Sequence, residues 1–420
     1  MTDKNENIWV QRKKKIKPFF VEGRFLRRSF GVVLRKADRR IGIMCKKSLA
    51  KKTKVNPKKI TFITFQGDYT CNPKYICEEL KRQNVDCEIV WASKVKSDFM
   101  NDGFPDDVEV VKMNLFDFYE ALASSKIWIA NSVEFLKSPI YKKPEQVFIE
   151  TWHGSLGIKR FGKGFNNGKG WVRAAELTSK ICDYVISNSD FEDDVYRDTF
   201  WQDQKIWKFG HPRNDMLVGD TDERRKLKKI IHEYLHIDDD TRILLYAPTF
   251  RDSHTFSVYD MDYKRVVDAL EDRFGGNWVI VNRFHPTVKK YVRGNYSSDR
   301  RVLDATHYPD IQDLIAAADI AVTDYSSWIY DFVLTKKPGF IFARDLKDYY
   351  SERGFYYPLE STPFPVCTDN DMLVDAIENF DEKEYDKKVK EFLDDKGCIE
   401  DGHAAERVVE EIKKILAQED

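Results

Sequence analysis

No stretch of this 420-residue sequence reaches 18 consecutive apolar positions, so a membrane-spanning helix is not expected. No basic, apolar and small-residue series lines up as a secretory leader would. The 7 cysteines (45, 71, 77, 87, 182, 367 and 398) are odd in number and scattered, which gives neither a zinc spacing nor a disulfide framework. A reducing, cytosolic location is therefore expected. Glycine (20) and proline (14) are too few for a fibrous or low-complexity chain, and no flexible linker of that kind interrupts it. Net charge is also nearly absent, at −1.

That small total hides an asymmetry. Residues 1–60 carry 20 Lys/Arg against 4 Asp/Glu, and the remainder is acidic by about as much. Within 19–49 the apolar residues Phe19, Leu26, Phe30, Val33, Ala37, Ile41 and Met44 recur at spacings near three and four. Arginines and lysines fill the positions between them, from Arg24 to Arg40. A basic amphipathic helix of this kind suits an anionic membrane surface. The plainer reading is a helix docked on its own domain with solvated charges. Nucleic acid is not expected, because no recognised binding module accompanies the basic segment.

The length implies two domains. From about residue 59 the pattern turns to buried-type strands alternating with helices: "ITFITFQG" (60–67), "NPKYICEELKRQN" (72–84) and "CEIVWAS" (87–93) read as a βαβ unit. A second series begins near "KIWKFGHPRND" (205–215) and runs through "RILLYAPTF", "NWVIVNRFHP", "DIAVTDYSS" and "PGFIFA". The expectation is an α/β protein of two facing Rossmann-like domains. The basic amphipathic segment covers 1–58, a first domain 59–205, and a second 206–420 whose final helix packs back. The hinge is expected near 203–216.

In open parallel sheets, ligands sit beyond the carboxyl ends of the strands. The residues found there are polar: Thr151-Trp152-His153-Gly154-Ser155, Thr249-Phe250-Arg251, Arg283-Phe284-His285 and Asp324-Tyr325-Ser326-Ser327. Ser326 and Ser327 stand where a strand hands over to a helix, and N–H groups, helix dipole and hydroxyls there suit a phosphate. Similar strand-to-helix steps at Asn131-Ser132 and Asn188-Ser189 read as ordinary helix caps. His153 and His285, on opposite domains, read as one general base and one phosphate ligand. Three motifs are set aside. "HEYLH" (232–236) fits a zinc-hydrolase pattern but has no third ligand downstream, "DMD" (260–262) follows no strand, and "GKGFNNGKG" (162–170) lacks the P-loop spacing. No metal and no cofactor are expected.

The pieces "TWHG" with "IKRFG", "DYVISNSDFEDDVYRDTFW", "GHPRND", "LYAPTFRD", "RFHP", "YPDIQDLIAAADIAVTDYSSWIYDFVLTKKPGFIF" and "GFYYPLE" span roughly 145–360. In that order they resemble the CDP-glycerol glycerophosphotransferase family, which primes and polymerises teichoic acids. The resemblance implies a GT-B-like fold and transfer of glycerol or ribitol phosphate from CDP-glycerol or CDP-ribitol to a lipid-linked saccharide or polymer acceptor. It implies His153 as the base on the acceptor hydroxyl, His285 as a contact to the donor phosphates, Ser326 and Ser327 at the pyrophosphate, and Asp324 orienting their loop. Gly154 and Ser155 complete the "HG" loop on the substrate side. This chain reads "HGSLGIK" where the family commonly has "HGTP". Arg251 and Arg283 are added from the residues themselves as charge partners. A lipid-linked acceptor accounts for the basic head, which would hold the enzyme on the inner face of the membrane. The competing readings are a GT-B glycosyltransferase using a nucleotide sugar and a non-catalytic membrane scaffold.

Overall fold

The computed structural model describes residues 42–418 apart from 66, 95–102, 114–115, 134, 136–138, 158, 163–167, 220, 252–255 and 286–298. Most of the amphipathic segment read at 19–49 lies outside the described residues; its end, 42–52, is helical.

Strands with apolar residues at consecutive positions have to be covered on both faces, and parallel sheets provide that. The first sheet holds β1 (Asn56–Ile63), β2 (Glu88–Ser93), β3 (Glu109–Lys112), β4 (Ser125–Ala130), β5 (Val147–Glu150), β6 (Tyr184–Ser187) and β7 (Lys205–Lys208). Their order is β3-β2-β1-β4-β5-β6-β7, all parallel. The period of two divides its side chains between two cores: Ile60, Phe62, Ile127 and Ile129 face one, Ile63, Trp128 and Ala130 the other. The second sheet holds β8 (Arg242–Tyr246), β9 (Trp278–Asn282), β10 (Val302–Asp304), β11 (Ile320–Thr323), β12 (Gly339–Phe342) and β13 (Val366–Cys367). It is again parallel, in the order β10-β9-β8-β11-β12-β13. The two sheets with their helices form the GT-B-like pair of lobes.

Each sheet reverses its winding once, between β1 and β4 in the first and between β8 and β11 in the second. Crevices open at such points because the connections leave in opposite directions. The chain ends of these four strands therefore fix where a ligand site lies.

The expected boundary at 205/206 falls inside β7, whose residues Lys205–Lys208 pair with Tyr184–Ser187 and so belong to the first lobe. The chain then crosses at 209–212 into a 3-10 segment, Pro212–Leu217. It crosses back near 399–403 into the last helix, Ala404–Leu416. That helix buries Val408, Val409 and Ile412 beside Ile60 and Ile76 of the first lobe. Asp215 of the second lobe accepts from the N–H groups of Ala404 and Ala405, both at 2.8 Å, and so caps it. The two crossings touch. Glu400 accepts from the His211 N–H at 3.1 Å, and from Asn188 and Asn214 at 3.1 and 3.0 Å. Gly210 has φ +91°, and a Cβ there would lie 2.7 Å from Glu400 Oε2, so this close approach requires glycine. The lobes are also joined by apolar contact: Tyr75 and Leu156 of the first lobe are buried in the core of the second.

Candidate functional site

The His153 loop leaves β5 under tension. Trp152 has φ +53°, an uncommon conformation for a bulky residue. Two contacts hold it there: its N–H donates to Glu150 Oε1 at 2.9 Å, and its ring lies 5.1 Å from that of Phe161. A Cβ on Gly154 would come within 2.8 Å of Trp152 Nε1, so the residue after His153 has no room for a side chain. The imidazole itself packs against Trp152, with ring centres 4.5 Å apart, and Phe65, at 5.7 Å. Its Nδ1 lies 2.6 Å from the Asn131 carbonyl oxygen. A carbonyl only accepts, so Nδ1 carries the proton and Nε2 is left with a free lone pair. The residue is exposed on its cleft side and packed on the faces toward Trp152 and Phe65. Desolvation first, then the nearby Arg213 cation, push its pKa down from 6.5 to about 4, against the pull of the Asn131 hydrogen bond. The group is a neutral proton acceptor at physiological pH.

On the second lobe, Ser326 and Ser327 follow β11 and are half-buried. The helix after them is short, Trp328–Phe332, and continues as a 3-10 turn, Val333–Thr335. Its dipole is correspondingly small, and the donors that matter there are those of the turn itself. Asp324 shapes that turn. Its carboxylate accepts from the N–H groups of Thr249 at 2.8 Å and Tyr325 at 2.5 Å. Arg283 leaves the end of β9, and its guanidinium donates to the carbonyls of Ala305, Tyr308 and Pro309. These carbonyls carry only partial charge; burial, the largest effect, lowers the pKa of the cation, and the carboxylates of Asp310, Asp313 and Asp68 also act on it. His285 is exposed, with its ring 4.8 Å from that of Phe250.

Two adjoining cavities lie between the lobes. The first, of about 320 Å³, is lined by Asp68, Asn131 and His153 from one lobe and by Arg283, Ser326 and Ser327 from the other. The second, of about 820 Å³, has Lys159, Phe250 and His285 on its walls and shares Asp68, Arg283 and Ser326 with the first. The structure thus brings His153, Arg283, Ser326 and Ser327 to one cleft and sets His285 in its extension.

Four of the other residues singled out in the sequence stand behind these walls. Arg251 is buried and turned away from the cleft. It pairs with Asp324 at 2.8 Å and Asp345 at 2.7 Å, and its guanidinium lies 4.9 Å from the rings of Tyr325 and Tyr349. Its charge is thereby spent inside the protein, and of the two arginines only Arg283 lines the cleft. Asp324 acts from the same buried cluster. Ser155 is buried, and its Oγ accepts from Asn188 Nδ2 at 3.0 Å. Gly154 offers its carbonyl to Arg213 at 2.9 Å.

Of the two supposed caps, Ser189 does cap the helix Asp190–Asp198, accepting from Glu192 N–H at 3.1 Å. Asn131, at the other, starts no helix among the described residues. Its side chain accepts from Phe65 N–H at 2.8 Å, and its carbonyl orients the catalytic candidate His153. Asn131 and Asp68 lie at the ends of β4 and β1, the pair flanking the reversal. The strand-tip rule would have found them had the strand order been known. In "HEYLH", His232 is buried and His236 is the left-handed C-cap of the helix Asp222–Leu235.

A sequence model of the family described as CDP-Glycerol:Poly(glycerophosphate) glycerophosphotransferase matches residues 44–414. The chain is 29% identical over 387 residues to the teichoic acid poly(glycerol phosphate) polymerase of Staphylococcus epidermidis, covering 88% of this chain and 52% of that protein. It is also 29% identical, over 376 residues, to the teichoic acid glycerol-phosphate transferase of Staphylococcus aureus, covering 86% of this chain and 94% of the relative. It thus spans about half of the first relative's length and nearly all of the second's. Among solved structures, a histidine variant of the wall teichoic acid polymerase TagF soaked with CDPG superposes with a TM-score of 0.76 at 28% identity. The match covers 93% of this chain and 96% of that one.

Proposed function

The chain belongs to the CDP-glycerol glycerophosphotransferase family, and from that premise we propose that it transfers glycerol phosphate or ribitol phosphate from a CDP-alcohol to a hydroxyl of a membrane-linked saccharide or growing polymer in teichoic acid synthesis. The observation that carries this reading is the first cavity, where a base with a free lone pair faces a cation and two hydroxyls on the opposite lobe. His153 Nε2 takes the proton of the acceptor hydroxyl. The acceptor oxygen attacks the phosphorus that bears the alcohol, the bond from that phosphorus to the CMP phosphate oxygen breaks, and CMP leaves with the electron pair. Arg283, Ser326 and Ser327 hold the diphosphate and offset the charge that gathers on it, and His285 contacts it from the larger cavity. Phosphoryl transfer depends on such positioning and charge stabilisation more than on covalent chemistry.

The test is a donor panel with a lipid-linked saccharide acceptor: CDP-glycerol, CDP-ribitol and UDP-sugars. The expected result is CMP from a CDP-alcohol, with product length read by mass spectrometry. UDP release from a sugar donor instead would establish the glycosyltransferase reading. No CMP from any CDP-alcohol ends the proposal.

Among the described residues no helix is long and apolar enough to cross a membrane. The acceptor is nevertheless lipid-linked on this reading, and the 20 Lys/Arg of residues 1–60 supply the attraction to an anionic surface on the cytoplasmic face. Changing the Lys and Arg of 24–47 to Gln is expected to abolish co-sedimentation with anionic liposomes. Unchanged sedimentation would rule out this role for the segment.

A further inference from the structure

We propose that Arg213 is a positioning residue, one guanidinium that fixes the His153 loop of the first lobe against the Ser326-Ser327 turn of the second. The inference rests on the functional reading above and extends it to a residue that takes no part in bond making.

Arg213 lies in the 3-10 segment Pro212–Leu217, just past the first crossing between lobes, and is 4% exposed. Its Nε and Nη2 grip both carboxylate oxygens of Asp331, at 3.0 and 3.2 Å. Nη2 also donates to the Gly154 carbonyl at 2.9 Å, and Nη1 to Cys71 Sγ at 3.4 Å. Four of the five N–H donors of a guanidinium are thus engaged by protein. The partners identify what is being held. Gly154 follows His153 directly, and Asp331 sits on the short helix that begins right after Ser327. Asp331 is itself fixed by Asn214 Nδ2 at 3.1 Å, and the Arg213 N–H donates to Asn72 Oδ1 at 3.2 Å. The two ends of the reaction path, base and phosphate turn, are therefore referred to a single rigid planar group. A displacement of about 1 Å between reacting groups costs on the order of 100-fold in rate, so such a strut has catalytic consequences through the groups it positions, although Arg213 also borders the first cavity. Lysine would not replace it: a point-like ammonium cannot fork onto a carboxylate and reach a carbonyl at once.

Two variants test this, Arg213→Lys and the charge-neutral pair Arg213→Met with Asp331→Asn. Three readouts apply: CMP release, CDP affinity by calorimetry, and the His153 titration midpoint by NMR. In both variants kcat is expected to fall roughly 10- to 100-fold, while CDP affinity stays within about threefold. The midpoint is expected to rise in the neutral pair, where the cation that disfavours the imidazolium is gone. A kcat within threefold of wild type in both variants overturns the proposal. So does a loss of CDP affinity as large as the loss of kcat, which would make Arg213 a phosphate ligand. The lysine variant keeps the buried charge pair, so its kinetics decide the matter if the neutral pair does not fold. If the wild type releases no CMP, the functional reading has failed on its own, and the strut is then judged by the midpoint alone: no rise in the neutral pair overturns it.

Discussion

His153→Ala is expected to lower the rate of CMP release by roughly 100- to 10,000-fold, the usual range for losing a positioned general base. The KM for the CDP-alcohol should move far less, because the donor is held by the opposite lobe. An unchanged rate would mean that His153 is not the base. The acid side of the pH profile provides a second check. An imidazole with its ordinary value near 6.5 would be half-protonated, and so half as active, at pH 6.5, whereas this one is pushed down to about 4 by desolvation and then by Arg213. Activity limited by His153 is therefore expected to persist well below pH 6.5. The sign for stability follows from the same shift. Between pH 6.5 and about 4 the unfolded chain binds a proton at this position that the folded chain refuses, so the site subtracts stability as the pH falls through that window and has no effect above it. The alanine variant should accordingly be less acid-sensitive in folding while being almost inactive.

Arg251→Met is expected to destabilise the protein by about 3–5 kcal/mol, the range for removing one partner of a buried ion pair. Arg251 and Asp324 are nearly inaccessible, and the cation separates the carboxylates of Asp324 and Asp345. Without it two like charges face each other, and the arginine's contact with the mutually stacked rings of Tyr325 and Tyr349 is lost as well. Denaturant titration measures the loss. Adding Asp324→Asn to the same chain should restore part of the stability, because the remaining charge is then single. The restored variant should keep the serine turn, since the Thr249 and Tyr325 N–H groups both donate to Asp324 Oδ1, an acceptor that asparagine retains. A loss below about 1 kcal/mol for Arg251→Met would mean that the cluster relaxes into solvent, and the account of a rigid turn would go with it.

The lobes were readable from local pattern. Runs such as Ser125–Ala130, buried at every position, announce a sheet covered on both faces, and the alternation with helices announces parallel connections. The residues that chemistry places at strand tips were legible for the same reason, because His153, Arg283 and the serine pair each follow a strong apolar run. Sequence pattern does not convey which tips meet. Arg251 and Arg283 look alike in sequence, each an arginine just past a strand. Only the packing of Asp345, 94 positions further on, turns the first inward. The task of Asn131 left no trace in sequence, because an Asn-Ser pair after a strand reads as a common cap, whereas its carbonyl serves a ring 22 residues away. The role of Arg213 depends on partners 59 and 118 residues off in opposite directions. Such pairings are set by tertiary assembly and leave no periodicity to read.

The chain passes between the lobes twice, at 209–212 and again near 399–403, and Glu400 binds the two strands of that passage together. A body held by a pair of adjacent tethers can swing about them but cannot twist or slide freely. Any movement of one lobe against the other would therefore pivot at Glu400, and it would have to break the Arg213 bridge between Gly154 and Asp331.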